Sequence, residues 1–264
     1  MIKLSCASLS FDGFEDRNFA KTFELAPQAG IKYIEFNCWY PSSLTFLKAR
    51  ELKERCIRHH IVPSVIHIGS FGGTDFREIT KDVCHKIRGL EFAKELGCKR
   101  LSATAAPRGE KGGLEAIITC LKEIMPVAEE LDVLVCVENH ANSNLENLDD
   151  YQRVFEAVSS NKLGICMDTG HFDAAGVNMD RLMEMFHPQI KHIHLKENKE
   201  KGKECFVRFG EGTTNNAHVL ERMISFHYEG YVSIELCLNE NNTLPLCLAD
   251  VLKAVDMFKK YERD

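Results

Sequence analysis

Residues 163–173 read LGICMDTGHFD, an apolar run that ends on Asp168 and is followed by the pair Gly170 and His171. A short apolar run bounded in this way is typical of a strand buried in a parallel sheet. A carboxylate at the carboxyl end of such a strand stands where α/β proteins build their sites. The stretch therefore predicts both a buried strand and a functional position at its end.

Seven further runs of this kind recur along the chain, separated by longer segments with helical periodicity. The eight predicted strands are IKLSCAS (2–8), IKYIEFN (31–37), IVPSVIH (61–67), GCKRLSA (97–103), VLVCVEN (133–139), LGICMD (163–168), IKHIHLK (190–196) and GYVSIEL (230–236). In the last helical segment, apolar side chains recur at the spacing of one helix face. They are Leu248, Val251, Leu252, Val255 and Phe258.

Eight strand–helix units in 264 residues predict an α/β fold, a (β/α)8 TIM barrel with a closed, parallel, eight-stranded sheet. Such a barrel typically takes about 250 residues. A doubly wound open sheet is the alternative, and it is disfavoured because no glycine-rich phosphate-binding motif follows the first strand. No low-complexity linker interrupts the sequence, so we expect residues 1–264 to form a single barrel domain.

Composition and charge narrow the class of function. The net charge of −6 argues against a nucleic-acid partner, because contacts to phosphates require a surplus of Lys and Arg. No apolar run approaches the ~18 residues of a membrane span, and the amino terminus is a poor signal peptide. We therefore expect a cytoplasmic protein with no membrane partner. The 11 cysteines include no CxxC pair, which predicts buried free thiols for those in apolar runs: Cys98, Cys136, Cys166 and Cys237.

Four side chains that suit a metal ion stand near the ends of four consecutive predicted strands: Glu138, Asp168, His194 and Glu235. In a barrel these strand ends meet at one face, and burying three carboxylates there without a positive partner is very costly. Carboxylate oxygens with one imidazole favour one divalent metal ion, Mn²⁺ first, then Mg²⁺ or Co²⁺, with Zn²⁺ as a further candidate. An ordinary surface ion pair would explain any one of the four, but equivalent positions in four units favour a metal site.

Other residues near the predicted strand ends are candidates for contacts with a substrate. Lys196 shares a strand face with His194, and His67 ends the third predicted strand. Trp39, the only tryptophan, follows the second strand and suits an aromatic wall for a sugar. The alternatives are a solvated side chain for Lys196, a place in the core for His67 and plain loop packing for Trp39. Glu35 suits either the pocket or the core, whereas Asn139 and His140 suit the support of a ligand from behind.

Taken in order, these motifs resemble a known family, the xylose-isomerase-like barrel superfamily and within it the sugar isomerase/epimerase branch. The resemblance rests on CVEN (136–139), GICMDTGHFDAAG (164–176), IKHIHLKEN (190–198), GEG (210–212) and GYVSIE (230–235). It implies a carbohydrate as the small-molecule substrate, and it allows a homo-oligomer, since family members are often dimers or tetramers. It also implies one divalent metal ion held by Glu138, Asp168, His194 and Glu235, with proton transfer by the two glutamates.

The same resemblance implies that His171 contacts the substrate beside the metal, with capping of the following segment as its alternative role. Gly170 is then expected to let the chain turn. Arg208, just before the GEG motif, matches the position of a substrate-contacting arginine in ketose epimerases.

The favoured hypothesis is a metal-dependent sugar isomerase or epimerase that works through a metal-stabilised enediolate, with Glu138 and Glu235 as the acid/base pair. An inosose-type dehydratase and a hydroxypyruvate-type isomerase are alternatives on the same site. A phosphodiesterase similar to the apurinic endonucleases is disfavoured, because those enzymes need a three-metal cluster with further histidines. The segments LSATAAPRG (101–109) and ECFVRF (204–209) supply none. A protein that kept the fold without activity is disfavoured by the complete set of four ligands.

Overall fold

The computed structural model describes residues 2–13, 18–236 and 248–262. Within these ranges, strands and α-helices alternate along most of the chain. The elements are β1 (Ile2–Ala7), α1 (Leu9–Asp12), α2 (Ala20–Leu25), β2 (Tyr33–Cys38), α3 (Phe46–Arg58), β3 (Val62–Phe71), α4 (Phe76–Leu96), β4 (Arg100–Ala105), α5 (Gly113–Leu131), β5 (Leu134–Glu138), α6 (Leu148–Ala157), β6 (Leu163–Asp168), α7 (Thr169–Ala174), α8 (Met179–Phe186), β7 (Ile190–Leu195), β8 (Glu197–Glu200), β9 (Lys203–Val207), α9 (Asn216–Ser225), β10 (Gly230–Ile234) and α10 (Leu248–Phe258).

Eight of these strands pair into a closed parallel barrel, in the order β1-β2-β3-β4-β5-β6-β7-β10 around the ring. The ring closes because β1 pairs in parallel with both β2 and β10. This confirms the predicted (β/α)8 fold and rules out the open sheet. The remaining strands, β8 and β9, form an antiparallel hairpin that follows β7.

Strand β3 corrects the sequence-based boundary, because it continues four residues past the predicted end at His67. His67 therefore lies inside the strand, in register with Asn37 of β2 and Ser102 of β4. The sequence-based strand ends at His67 because this residue is polar. In a barrel, however, alternate residues face the interior, where a polar side chain is tolerated once it finds a hydrogen-bond partner. His67 has one, since its Nδ1 lies 2.8 Å from Ser102 Oγ.

The apolar core lies between the barrel and the surrounding helices. Helix α4 packs onto β3 and β4 at Gly89, where an added Cβ would come within 2.9 Å of Ile68 Cδ1 and 3.1 Å of Leu101 Cδ1. A larger residue would therefore push α4 away from the sheet. This close approach sets the distance between α4 and the strands β3 and β4.

Buried polar side chains hydrogen-bond with one another inside the barrel. Ser5 Oγ lies 2.7 Å from Ser64 Oγ, and Ser233 Oγ lies 3.3 Å from His192 Nε2. All four residues are almost fully buried. Because buried polar groups are costly unless they are paired, this layer forms a rigid floor beneath the strand ends.

The hairpin of β8 and β9 is anchored by Asn198, which is fully buried. Its Nδ2 donates to Asp173 Oδ2 of α7 at 3.0 Å, and its Oδ1 accepts from the N–H of Cys205 at 2.9 Å. An added Cβ at Gly212 would come within 2.2 Å of the Asn198 carbonyl oxygen. The hairpin is therefore clamped between α7 and the GEG segment.

The cysteines that the structure describes are free thiols. Cys98, Cys136 and Cys166 are buried, as predicted, whereas Cys237 lies outside the described residues. Burial raises the pKa of Cys136 to about 12, which keeps this thiol neutral. Among the helices of the described ranges, none has both the length and the apolar composition that crossing a bilayer requires.

Candidate active site

The structure brings four predicted side chains together at the carboxyl end of the barrel: Glu138, Asp168, His194 and Glu235. Each comes from a different unit, since Glu138 ends β5, Asp168 ends β6, His194 lies in β7 and Glu235 follows β10. One potential ligand atom from each residue lies within 4.8 Å of the others, and all four residues are buried. We refer to these residues as the four-residue cluster.

His194 stands at the centre of the cluster. Its Nδ1 lies 2.9 Å from Glu138 Oε1, 2.7 Å from Glu235 Oε2 and 3.8 Å from Asp168 Oδ2. Burial alone would lower the pKa of His194, but the surrounding negative charges outweigh burial and raise it well above the usual value. The three distances show that one ring nitrogen, Nδ1, faces all three carboxylates of the cluster.

Asp168 divides its two oxygens between helix capping and the cluster. Oδ1 accepts from the N–H of His171 at 2.9 Å, which makes Asp168 the N-cap of α7. Oδ2 forms an ion pair with Lys196 Nζ at 3.0 Å. Burial raises the pKa of Asp168 to about 6, although Lys196 opposes the shift. The DTGH motif thus starts a helix while directing one carboxylate oxygen into the site.

The two glutamates have different surroundings. Within the described chain, Glu138 Oε2 is buried without a hydrogen-bond partner, and it lies 3.5 Å from His67 Nδ1. Glu235 Oε1 lies 2.8 Å from Lys196 Nζ. Burial raises the pKa of Glu138, whereas for Glu235 the charges of Lys196 and His194 outweigh burial and lower the pKa.

The cluster fits a divalent cation. Glu138 Oε2 is a buried oxygen that lacks a hydrogen bond in the described part of the chain, and three buried carboxylates lie near one imidazole nitrogen. Such an oxygen is costly to bury unless a positive group satisfies it. Hard carboxylate oxygens with one imidazole are a recognised donor set for Mn²⁺, Mg²⁺ or Zn²⁺.

Lys196 lies against the four-residue cluster. Its Nζ contacts Asp168 and Glu235, and it also lies 5.0 Å from the ring centroid of Phe206 on β9. The structure therefore places Lys196 against two candidate metal ligands at the position where the sequence predicted a contact with the substrate.

His171 lies beside the cluster, with its ring between two aromatic neighbours. Its ring centroid is 3.4 Å from that of His140 and 4.5 Å from that of Phe206. Its Nδ1 accepts from the N–H of Ala141 at 3.3 Å, so a neutral ring carries its proton on Nε2. Burial, supported by the charge of Lys196, holds the pKa of His171 well below its usual value. His171 is thus a neutral ring with Nε2–H as a donor.

Gly170 corrects a second expectation, because it does not make a turn. It lies inside α7, and an added Cβ would come within 2.7 Å of Lys196 Cγ and 2.8 Å of Lys196 Cβ. Glycine is needed here because the first turn of α7 passes directly over the Lys196 side chain.

Trp39 and His67 lie at one side of the cluster, and Arg208 has a different environment. The rings of Trp39 and His67 meet edge-on with centroids 4.7 Å apart. His67 Nε2 is buried without a hydrogen-bond partner within the described chain, and burial lowers the pKa of this ring to about 4. Arg208 Nε forms an ion pair with Asp250 of α10 at 2.9 Å.

Two residues, Glu35 and Phe206, make contacts at the site that the sequence does not predict. Glu35 of β2 is fully buried and contacts His194 from the side opposite the carboxylates. Its signal in the sequence was an acidic residue at an inward position of an apolar strand, which the core explains equally well. Phe206 left no signal, because only the hairpin of β8 and β9 carries it to His171.

Comparisons with known proteins agree with this architecture. Residues 23–254 match the family model described as xylose isomerase-like TIM barrel, and the chain belongs to this family. It is 25% identical over 236 residues to an inosose isomerase of Halalkalibacterium halodurans, covering 84% of each chain. It is 21% identical over 262 residues to an inosose dehydratase of Clostridium beijerinckii, covering 85% of each. A crystal structure of the IolI protein with a bound zinc atom superposes with a TM-score of 0.82 at 22% identity, covering 99% of this chain and 100% of that one.

Proposed function

We propose that this protein is a divalent-metal-dependent sugar isomerase or epimerase in which Glu138 and Glu235 form the acid/base pair. The observation that carries the proposal is that both carboxylates contact the same atom, His194 Nδ1, at 2.9 and 2.7 Å. They reach it from β5 and β10, which are separated by two other strands around the ring. Two carboxylates that converge from different directions suit proton transfer at opposite faces of one carbon.

The four-residue cluster would hold the metal ion, with Mn²⁺ proposed first because the donor set is rich in oxygen. A structural relative whose crystal structure carries zinc keeps Zn²⁺ as a candidate. A divalent ion held there would supply Lewis-acid chemistry, which would polarise a substrate carbonyl and acidify the neighbouring C–H bond.

Proton transfer is assigned to one oxygen of each glutamate. Glu138 Oε2 has no hydrogen-bond partner within the described chain, so it is free to take a proton from a substrate carbon or to return one. Glu235 Oε1 is held by Lys196, which favours the ionised carboxylate. The two glutamates are therefore not equivalent, and their variants are expected to differ in rate.

Substrate binding is assigned to the residues around the cluster. His171 presents Nε2–H as a donor to a hydroxyl or carbonyl oxygen, and the buried Nε2 of His67 is a second polar group in need of a partner. Trp39 packs against His67 and suits the apolar face of a sugar ring. Lys196, whose Nζ contacts Glu235, is assigned to substrate oxygens next to that residue. Arg208 is the least supported of the predicted contacts, because its guanidinium is engaged by Asp250.

A dehydratase is the second candidate, favoured by the likeness to an inosose dehydratase over 85% of the chain. The same base would remove a proton next to the carbonyl, and a β-hydroxyl would then leave as water. The phosphodiesterase alternative gains no support from the described residues. A second group of potential metal ligands among them, Cys166, His192 and His194, shares His194 with the four-residue cluster and is therefore not a separate centre.

A substrate screen tests this proposal. Protein loaded with Mn²⁺ is incubated with ketoses, inososes and keto acids, and products are separated by chromatography and weighed by mass spectrometry. An isomer of unchanged mass supports an isomerase or epimerase, and a loss of water indicates a dehydratase. Chelated protein is the control and is expected to be inactive. Equal turnover with and without metal would contradict the proposal.

A further inference from the structure

Glu35 lies directly behind the imidazole of the four-residue cluster. It sits in β2, where it pairs in register with Ala7 of β1 and Val65 of β3, and its side chain is completely buried. Both carboxylate oxygens approach His194 Nε2, with Oε1 at 3.0 Å and Oε2 at 2.9 Å. Glu35 thus contacts the ring nitrogen that faces away from the other three carboxylates.

These contacts distinguish the two nitrogens of His194. An ionised carboxylate accepts hydrogen bonds and donates none, so Glu35 requires a proton on Nε2. By the same rule Glu138 and Glu235 require a proton on Nδ1. A divalent ion held by the cluster would take the place of that proton, while Glu35 keeps the proton on Nε2 and leaves the Nδ1 lone pair to the metal. The nitrogen suited to bind a metal therefore points into the cluster.

Glu35 is itself held in place from two further sides. His192 Nε2 lies 2.7 Å from Glu35 Oε2, and the Ser102 hydroxyl donates to Glu35 Oε1 at 3.5 Å. His192 and Ser102 are fully buried. A carboxylate fixed by several strands of the barrel can hold a ring at a set angle, whereas a single flexible contact cannot.

We propose that Glu35 is a positioning residue that holds His194 in the Nε2–H tautomer and aims Nδ1 into the four-residue cluster, so that the cluster binds its metal ion tightly. This role rests on the metal site proposed above. Partners that act behind a metal-ligating histidine typically contribute about 10–100-fold to metal affinity.

The test compares two substitutions at this position. Glu35→Gln keeps the size of the side chain and one accepting oxygen, whereas Glu35→Met keeps the length and removes the acceptor. We expect the Mn²⁺ affinity, measured by isothermal titration calorimetry, to fall in the order wild type, Glu35→Gln, Glu35→Met, with a loss of about 10–100-fold for the last. Asp150→Asn is the matched control, because Asp150 is a buried carboxylate on α6 that pairs with Arg108. It should leave the Mn²⁺ affinity unchanged.

A second readout does not depend on affinity or activity. In Zn²⁺-loaded wild-type protein, long-range ¹H–¹⁵N NMR spectra should show His194 with its proton on Nε2 and its metal bond at Nδ1. The opposite assignment would overturn the role of Glu35 even if Glu35→Met failed to fold.

The two proposals can fail separately. Wild-type affinity in a folded Glu35→Met protein would overturn the role of Glu35 and leave the metal site standing. A wild-type protein that binds no divalent ion would overturn the metal site, and the role of Glu35 with it.

Discussion

The side-chain amide of Asn139 hydrogen-bonds both main-chain polar groups of Asp168. Its Oδ1 accepts from the N–H of Asp168 at 2.7 Å, and its Nδ2 donates to the Asp168 carbonyl oxygen at 2.9 Å. The residue after one candidate ligand, Glu138, therefore fixes the backbone of another. Asn139 thus joins the ends of β5 and β6 at the point where the four-residue cluster forms.

Asn139→Ala should lower both stability and metal affinity. The substitution leaves a buried N–H and a buried carbonyl of Asp168 unsatisfied, which costs about 2 kcal/mol in the free energy of unfolding. Urea denaturation measures this loss, and calorimetric titration with Mn²⁺ measures the expected weaker binding.

Asn144→Ala is the matched control for this prediction. The Asn144 amide also bridges main-chain groups, since it accepts from the N–H of Gly109 at 2.8 Å and donates to the Glu110 carbonyl at 3.0 Å. It should lose a similar amount of stability and keep the metal affinity. Equal loss of metal affinity in both variants would show that Asn139 acts only on the fold.

Metal content tests the four-residue cluster itself. We expect about one divalent ion per chain in purified protein, measured by inductively coupled plasma mass spectrometry, and a loss of that ion in the double variant Asp168→Ala, His194→Ala. Unchanged metal content in the double variant would contradict the site. Three ions per chain would instead support the phosphodiesterase hypothesis.

His171→Ala should impair turnover without releasing metal. In the structure the main-chain N–H of His171 donates to Asp168, and the substitution keeps this hydrogen bond while the Nε2–H donor is lost. We expect a lower kcat or a higher KM for the substrate found in the screen, together with wild-type metal content. Metal loss in this variant would mean that His171 is itself a ligand.

Thiol reactivity tests the packing of the barrel. Cys84 is exposed, whereas Cys6 and Cys38 are buried, and burial raises the pKa of each of these two thiols to about 12. Because the thiolate is the reactive form, iodoacetamide at pH 8 should modify Cys84 in native protein and reach Cys6 and Cys38 only after denaturation. Peptide mass spectrometry reads out each site. Rapid native alkylation of Cys6 would contradict the closed barrel.

The sequence predicted the barrel and the convergence of the four cluster residues at one face, because both depend on local patterns. Apolar runs at regular spacing predict strands, and a closed parallel ring brings all their carboxyl ends to one face. Glu138 and Asp168 therefore come together without knowledge of any particular contact.

Other features depend on contacts between distant segments, and these were not predictable. The pairing of Glu35 with His194 requires the registers of several strands at once, and the need for glycine at position 170 arises from Lys196 packing against it. The hairpin that carries Phe206 is rich in charged residues and lacks the alternation of a half-buried strand. His67 looked like the end of a strand because a buried histidine inside one is tolerated only through Ser102, which lies 35 residues further along the chain.

Solvent-deuterium incorporation tests the central claim most directly. With the substrate found in the screen, metal-loaded protein in D₂O should place deuterium on the carbon that is isomerised or epimerised, because a proton passes through Glu138 or Glu235. Glu138→Gln and Glu235→Gln should each lower kcat by about 10²–10⁴-fold while metal is retained, since each removes one acid/base group. Product formed at the normal rate with no deuterium at any carbon would contradict proton transfer and would indicate an internal hydride shift.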